Sequence, residues 1–273
     1  MKPQLANYSH VLRHRVHLKK LVSPIEKKPF DYLPERSVEC LKQFLTGYEI
    51  FGPSVWRDLA SFEFWLKQRL EYPDDTGSRW WRFIQLNSRD RCDSFDSFFR
   101  LYWNYCKQEP MDVQPNAPEL RWGSNNFDFY QLLYAISKKP GLYLGSSVTV
   151  QSLAACLAGY FSGKKHSGKG LTDDEKRFHQ FSKWLSKRHN LKREYSWNRL
   201  VEMWSIEQYS FQEFFVNYDA FLTNYGKKVG GLDDLFETVK DDLGTTIRRR
   251  EKLPEKVLRI PGSPMWWRSA YNR

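Results

Sequence analysis

The feature that most constrains this chain is that its second half repeats its first. Lys27-Lys28-Pro29-x-x-Tyr32-Leu33 returns as Lys138-Lys139-Pro140-x-x-Tyr143-Leu144. The echo then continues in order: Val38, Leu41, Leu45, Gly47 and Tyr48 are answered by Val150, Leu153, Leu157, Gly159 and Tyr160. Phe62, Trp65, Leu66 and Arg69 are answered by Phe181, Trp184, Leu185 and Arg188, and Trp80 by Trp197. Last, Ser94-Phe95-x-x-Phe98-Phe99-x-x-Tyr102 matches Ser210-Phe211-x-x-Phe214-Phe215-x-x-Tyr218, with Tyr105 opposite Phe221. Two unrelated helical stretches of like composition do not reproduce this order, because Trp, Gly and Pro positions coincide along with the apolar ones.

Within a repeat the spacing is helical. Val38, Leu41, Phe44, Leu45 and Tyr48 form one apolar stripe at a 3.6-residue period. Phe62, Trp65, Leu66 and Arg69 mark a second helix, and Phe95, Phe98, Phe99, Tyr102 and Tyr105 a third. Gly47 and Gly159 sit inside the first stripe, where glycine costs about 1 kcal/mol relative to Ala. Each therefore admits a close neighbouring helix or ends its own. The expected fold is all-α: two tandem diverged helical repeats, each a Pro-Tyr-Leu turn followed by three or four helices, packed as a pseudo-twofold body with a basic C-terminal extension. The boundaries read as a basic N-terminal segment (1–26), repeat 1 (27–106), a Pro/Asn-rich linker (107–137), repeat 2 (138–222) and a basic aromatic tail (223–273). The two aromatic stripes can be buried separately or against each other.

At 273 residues the chain is long enough to bury a sizeable core. Its 11 Trp, 15 Tyr and 19 Phe supply rings that fill thick helix interfaces. The formal net charge of +11 raises the prior for an acidic partner: nucleic acid, an anionic membrane surface or an acidic protein. Cys40, Cys92, Cys106 and Cys156 show neither C-x-x-C pairing nor equivalence between repeats, so they read as core thiols of a reducing compartment. No apolar run approaches the ~20 residues that cross a bilayer. A cytoplasmic protein without a membrane partner is expected.

Three motifs invite chemistry. Gly163-Lys164-Lys165-His166-Ser167-Gly168-Lys169-Gly170 fits the first part of a phosphate-cradling loop. It has Gly170 where a Ser or Thr should hold the metal, and it follows a helix, so it reads as a mobile basic loop. His10, His14 and His17 share a helix face, but Arg13, Arg15, Lys19 and Lys20 crowd them and oppose a cation. No nucleophile with a His base and no carboxylate pair in an apolar setting stands out. Asp173, Asp174 and Glu175 after Thr172 read as a capped helix start. The chain is read as non-enzymatic, with no cofactor and no metal.

The binding candidates are basic. Lys164, Lys165 and Lys169 belong to the glycine-flanked segment, and Arg248, Arg249, Arg250, Lys252, Trp266, Trp267 and Arg268 to the tail. Cations interleaved with aromatic rings suit a nucleic-acid backbone with base stacking. They equally suit a strap packing its Trp residues on the body.

Lys139-Pro140-Gly141-Leu142-Tyr143-Leu144-Gly145, with Leu153, Leu157, Gly159-Tyr160, Phe181, Trp184-Leu185 and Ser196-Trp197, resembles a group of bacterial proteins patterned KPxMYLG … L..FL.GY … F..WL … SW. These look like immunity, or antidote, proteins of polymorphic toxin systems. The resemblance covers about 85 residues closely, and the first repeat loosely, where Phe30, Asp31 and Pro34 depart from it. It implies a cytoplasmic antidote that occludes the active site of a cognate toxin, an acidic protein partner. The alternative is a nucleic-acid-binding protein that uses the tail. No catalytic residue carries over, since the shared positions are packing ones.

Overall fold

The computed structural model describes residues 17–51, 55–71, 79–108, 128–145, 147–206 and 209–224. Among them the regular structure is entirely helical. Residues 17–27 are helical (α1), and a 3₁₀ turn Pro29–Asp31 follows. Then come α2 (Val38–Tyr48), α3 (Trp56–Arg69), α4 (Trp80–Leu86) and α5 (Arg91–Cys106). The second half runs α6 (Phe129–Lys138), α7 (Pro140–Leu144), α8 (Val150–His166), α9 (Asp173–Phe178), α10 (Phe181–Arg188), α11 (Trp197–Trp204) and α12 (Ser210–Asn224). The described residues up to Phe214 form one unit, and those from Phe215 a second, within which Tyr218 stacks on Phe221 at 5.8 Å.

Local chemistry sets where the long helices begin. Ser37 Oγ accepts from the amide of Cys40 at 3.1 Å, and Thr149 Oγ1 from that of Ser152 at 3.1 Å, so α2 and α8 start on equivalent hydroxyl caps. Thr172 and Glu175 form a capping box on α9, as expected. The α2 stripe is buried throughout: Val38, Leu41, Phe44, Leu45 and Tyr48 all lie inside.

The body is organised by α2 lying against α8. A methyl placed on Gly47 would overlap the carbonyl oxygen of Cys156 and come 3.0 Å from the amide nitrogen of Tyr160. A methyl on Gly159 would overlap the carbonyl oxygen of Phe44 and come 2.8 Å from the amide nitrogen of Tyr48. Both glycines therefore serve close approach, and neither ends its helix. The contact is reciprocal: what Gly47 does to the second helix, Gly159 does to the first.

Each half also builds an aromatic cluster, and corresponding ring distances and tilts agree. Phe62 stacks on Trp65 at 6.0 Å and 19°, and Phe181 on Trp184 at 6.1 Å and 18°. Phe62 meets Phe98 edge-on at 5.7 Å, and Phe181 meets Phe214 edge-on at 5.8 Å. Trp80 tilts 50° on Phe98, as Trp197 tilts 50° on Phe214. Arg69 lies over Trp65 and Arg188 over Trp184, at 5.5 and 5.1 Å. The aromatic stripes are thus buried separately, while α2 and α8 are buried against each other.

Two segments differ from the sequence reading. The stretch read as linker ends in a helix: α6 has a capping box from Asp128 and Gln131 and buries Phe129, Leu132, Leu133 and Ile136. α1 buries Leu18, Leu21, Val22 and Ile25 at the same spacing, and each helix ends at the Lys-Lys-Pro motif of its half. The i, i+3, i+4, i+7 pattern was present in both, but it lay outside the boundaries set at Lys27 and Lys138. The Gly163–Gly170 segment is the second case. α8 continues through His166, so Lys164 and Lys165 lie on a helix and not in a mobile loop.

Candidate functional site

The charged groups of this helix end do different work. Lys164 is only 6% exposed, and its ammonium donates to both carboxylate oxygens of Glu175, at 2.6 Å to Oε1. Tyr160 donates its hydroxyl to the same carboxylate, and the amide of Thr172 adds a bond at 2.6 Å. Burial alone would raise the Glu175 pKa, but the bonds from Lys164, Tyr160 and Thr172 outweigh it and hold the carboxyl below its usual value. Burial, then the Glu175 carboxylate, pushes the Tyr160 hydroxyl upward. Lys164 is therefore an internal ion-pair member and not a surface cation, which corrects its place among the binding candidates. Lys165 and Lys169 are exposed, with the Lys169 ammonium 4.7 Å from the Phe51 ring centre. Arg248, Arg249, Arg250, Lys252, Trp266, Trp267 and Arg268 lie outside the described residues, as do His10 and His14.

Other buried polar groups also brace helices. Tyr102 and Tyr105 on α5 donate to the Asp58 carboxylate on α3 at 2.7 and 3.2 Å. Burial and the Asp58 charge drive the Tyr102 pKa far up. Tyr48 on α2 shares a hydrogen bond with His166 Nδ1 on α8 at 2.9 Å, and burial pushes its hydroxyl up to about 12. Burial likewise raises the Cys156 thiol to about 12, which suits the expected core thiol. Cys40 is buried too, but Cys92 is exposed, so the reading of all four cysteines as core thiols fails there. Among the described residues no group of three or more His, Cys, Asp or Glu is placed to hold a metal ion. No helix among them is long and apolar enough to cross a membrane.

A cleft of about 410 Å³ opens where residues 30–34 face α8, the α9–α10 junction and the start of α11. Its walls include Asp31 and Pro34 from the turn, Ala154 and Ala158 from α8, and Ser182, Asn198 and Arg199 from α10 and α11. Phe30, at 67% exposed, stands at the rim. His179 packs its ring on Phe161 at 4.9 Å along another wall. Asn198 is fixed from behind: it donates to Gln151 at 2.6 Å, and Gln151 in turn donates to Glu202 at 2.6 Å.

The register of the paired motifs identifies what stands in these places in the first half. Lys42 falls opposite Ala154, Glu63 opposite Ser182 and Trp81 opposite Asn198. Structural roles survive the exchange: Glu63 accepts from the Trp80 amide at 3.1 Å, as Ser182 accepts from the Trp197 amide at 3.1 Å. Volume does not survive it. Lys42 reaches from α2 to the turn after α7, where its ammonium would sit 3.3 Å from a Cβ on Gly145, the position opposite Pro34. Gly145 has φ of +70°, a conformation that favours glycine. Burial lowers the Lys42 pKa, and Gln43 Oε1 is its hydrogen-bond acceptor at 3.3 Å. None of the cleft residues was singled out from the sequence as a site. The available signal was the small residue opposite a large one at aligned positions.

No family model, no curated protein and no solved structure matches this chain.

Proposed function

We propose that the chain is two diverged copies of one helical unit, paired about a pseudo-twofold axis through α2 and α8, and that it works as a binding protein. The reciprocal glycine contacts and the duplicated aromatic geometry support the pairing: in a twofold interface, residue i meets j and the counterpart of i meets the counterpart of j. Its function is that of a cytoplasmic immunity protein, which neutralises a cognate toxin by covering the toxin's active site.

The observation that carries the binding reading is the cleft beside Ala154, open between the turn of the first half and α8 to α11 of the second, where Lys42 reaches across the corresponding place toward Gly145. Two copies that start alike and diverge at one surface mark that surface as the one put to use. A concave patch with aromatic walls and a few fixed polar groups is how proteins seat a partner's anchoring side chain. The net charge of +11 favours association with an acidic partner.

The test is a tagged pull-down from the native host at low and at moderate salt, with bound protein and bound nucleic acid both identified. One protein partner, held at 1:1 with nanomolar affinity through the higher salt, is the expected result. Recovery of nucleic acid alone, lost as salt rises, would overturn the antidote reading and move attention to the basic tail.

A further inference from the structure

We infer that the cleft beside Ala154 receives a lysine side chain from the protein partner, in the place that Lys42 occupies in the other half. This rests on the binding-protein reading above. At the counterpart place the fold already seats an aminobutyl chain: Lys42 crosses from α2 to the turn at Gly145, with its ammonium on Gln43. In the second half Ala154 removes that side chain, and the space is open.

The charges have changed in the matching sense. Asp31, from the turn of the first half, stands at this cleft where the counterpart place has Leu142 of α7, so the cleft with alanine in place of the lysine carries a carboxylate. Asp31 is in no salt bridge among the described residues and is free to take the incoming ammonium. Phe30 beside it offers an exposed ring face to a cation, as Phe51 does to Lys169 and Tyr134 to Lys138. The cation on the opposite wall, Arg199, does not forbid a lysine: its counterpart Arg82 is also arginine, in the half where Lys42 is seated. His179 faces Phe161.

The experiment uses the full chain and three blocked peptides, acetyl-Gly-Lys-Gly-amide and its norleucine and glutamate analogues, with the Trp197 indole resonance as the reporter in the cleft. Saturable binding of the lysine peptide at about millimolar concentration is expected, as suits a single-side-chain ligand. The norleucine and glutamate peptides should bind at least about fivefold more weakly. Asp31→Asn should weaken lysine binding about tenfold, and Ala154→Lys, which rebuilds the first half's arrangement, should abolish it. Asp31 lies on an exposed turn, so the inference stays testable if Ala154→Lys fails to fold. Norleucine binding as tightly as lysine, or an Asp31→Asn variant indistinguishable from the parent, would overturn it. The two readings also fail separately. A captured protein partner that ignores both variants leaves the antidote reading standing and removes this one. Peptide binding with the expected variant effects, but no protein partner, does the reverse.

Discussion

The two halves share an aromatic skeleton and differ in how they use polar residues. Phe62, Trp80 and Phe98 reproduce the geometry of Phe181, Trp197 and Phe214, because ring packing tolerates little change in distance or tilt. The buried polar ties are not shared. The first half anchors α5 to α3 through Asp58, whereas the second anchors α9 to α8 through Glu175, Lys164 and Tyr160. In the register that pairs Phe62 with Phe181, α9 falls opposite the start of α3, so the second half has two short helices where the first has one. What persists is the part whose alteration costs the whole fold, and what drifts is the part that only one half needs.

The most severe way to break the pairing is at the glycines. Gly47→Leu and Gly159→Leu each force backbone against side chain, and each is expected to cost about 4–5 kcal/mol, read as a drop in Tm of roughly 10–15 °C. Similar losses from the two would support the reciprocal contact; a large loss from only one would break it. Next come the aromatic hubs: Phe62→Ala and Phe181→Ala should each cost about 3–5 kcal/mol in chemical denaturation, with matched values if the clusters are equivalent.

Lys164→Met should cost about 3–5 kcal/mol, since it strands the buried Glu175 carboxylate, and adding Glu175→Gln should restore most of it. The Glu175 effect has a definite pH sense. Its folded pKa lies below the ordinary 4.5, so its contribution is complete above that value and fades as pH falls through the lowered one. The stability gap between the parent protein and Glu175→Gln should therefore narrow below pH 4.5; a gap constant down to pH 3 would contradict the assignment. The smallest effect belongs to Lys42→Met. Burial disfavours the Lys42 ammonium, so at neutral pH the change should be neutral or stabilising by up to about 1 kcal/mol, and the gain should shrink as pH rises.

Much of this architecture was legible in the chain alone. Apolar residues at a 3.6 period located α2, α3 and α5 and their counterparts, because a helix buries one stripe whatever it packs on. Thr172 and Glu175 read as a capping box for a similarly local reason. The repeat boundaries fell one helix short at each end, since α1 and α6 repeat only in pattern, Leu18, Leu21, Val22 and Ile25 against Phe129, Leu132, Leu133 and Ile136, and not in identity. The site was not legible. Lys164 looked like a surface cation in a basic run, because the carboxylate that neutralises it, eleven residues away, declares itself only when α9 folds back on α8. The cleft was hidden for the opposite reason, being marked by alanines that resemble any others.

The sequence by itself determined the helical periods, the repeated order of rare residues, the helix caps and the presence of glycine in two apolar stripes, all of which act within one or two turns of chain. Only the tertiary structure decided that those glycines face each other's backbones, which cations are buried, and that Ala154 opens a space where Lys42 reaches across. The glycine contact and the reach of Lys42 depend on distances between segments more than a hundred residues apart, and the Lys164 pair on α9 folding back over eleven residues; close packing turns the loss of one side chain into a cleft.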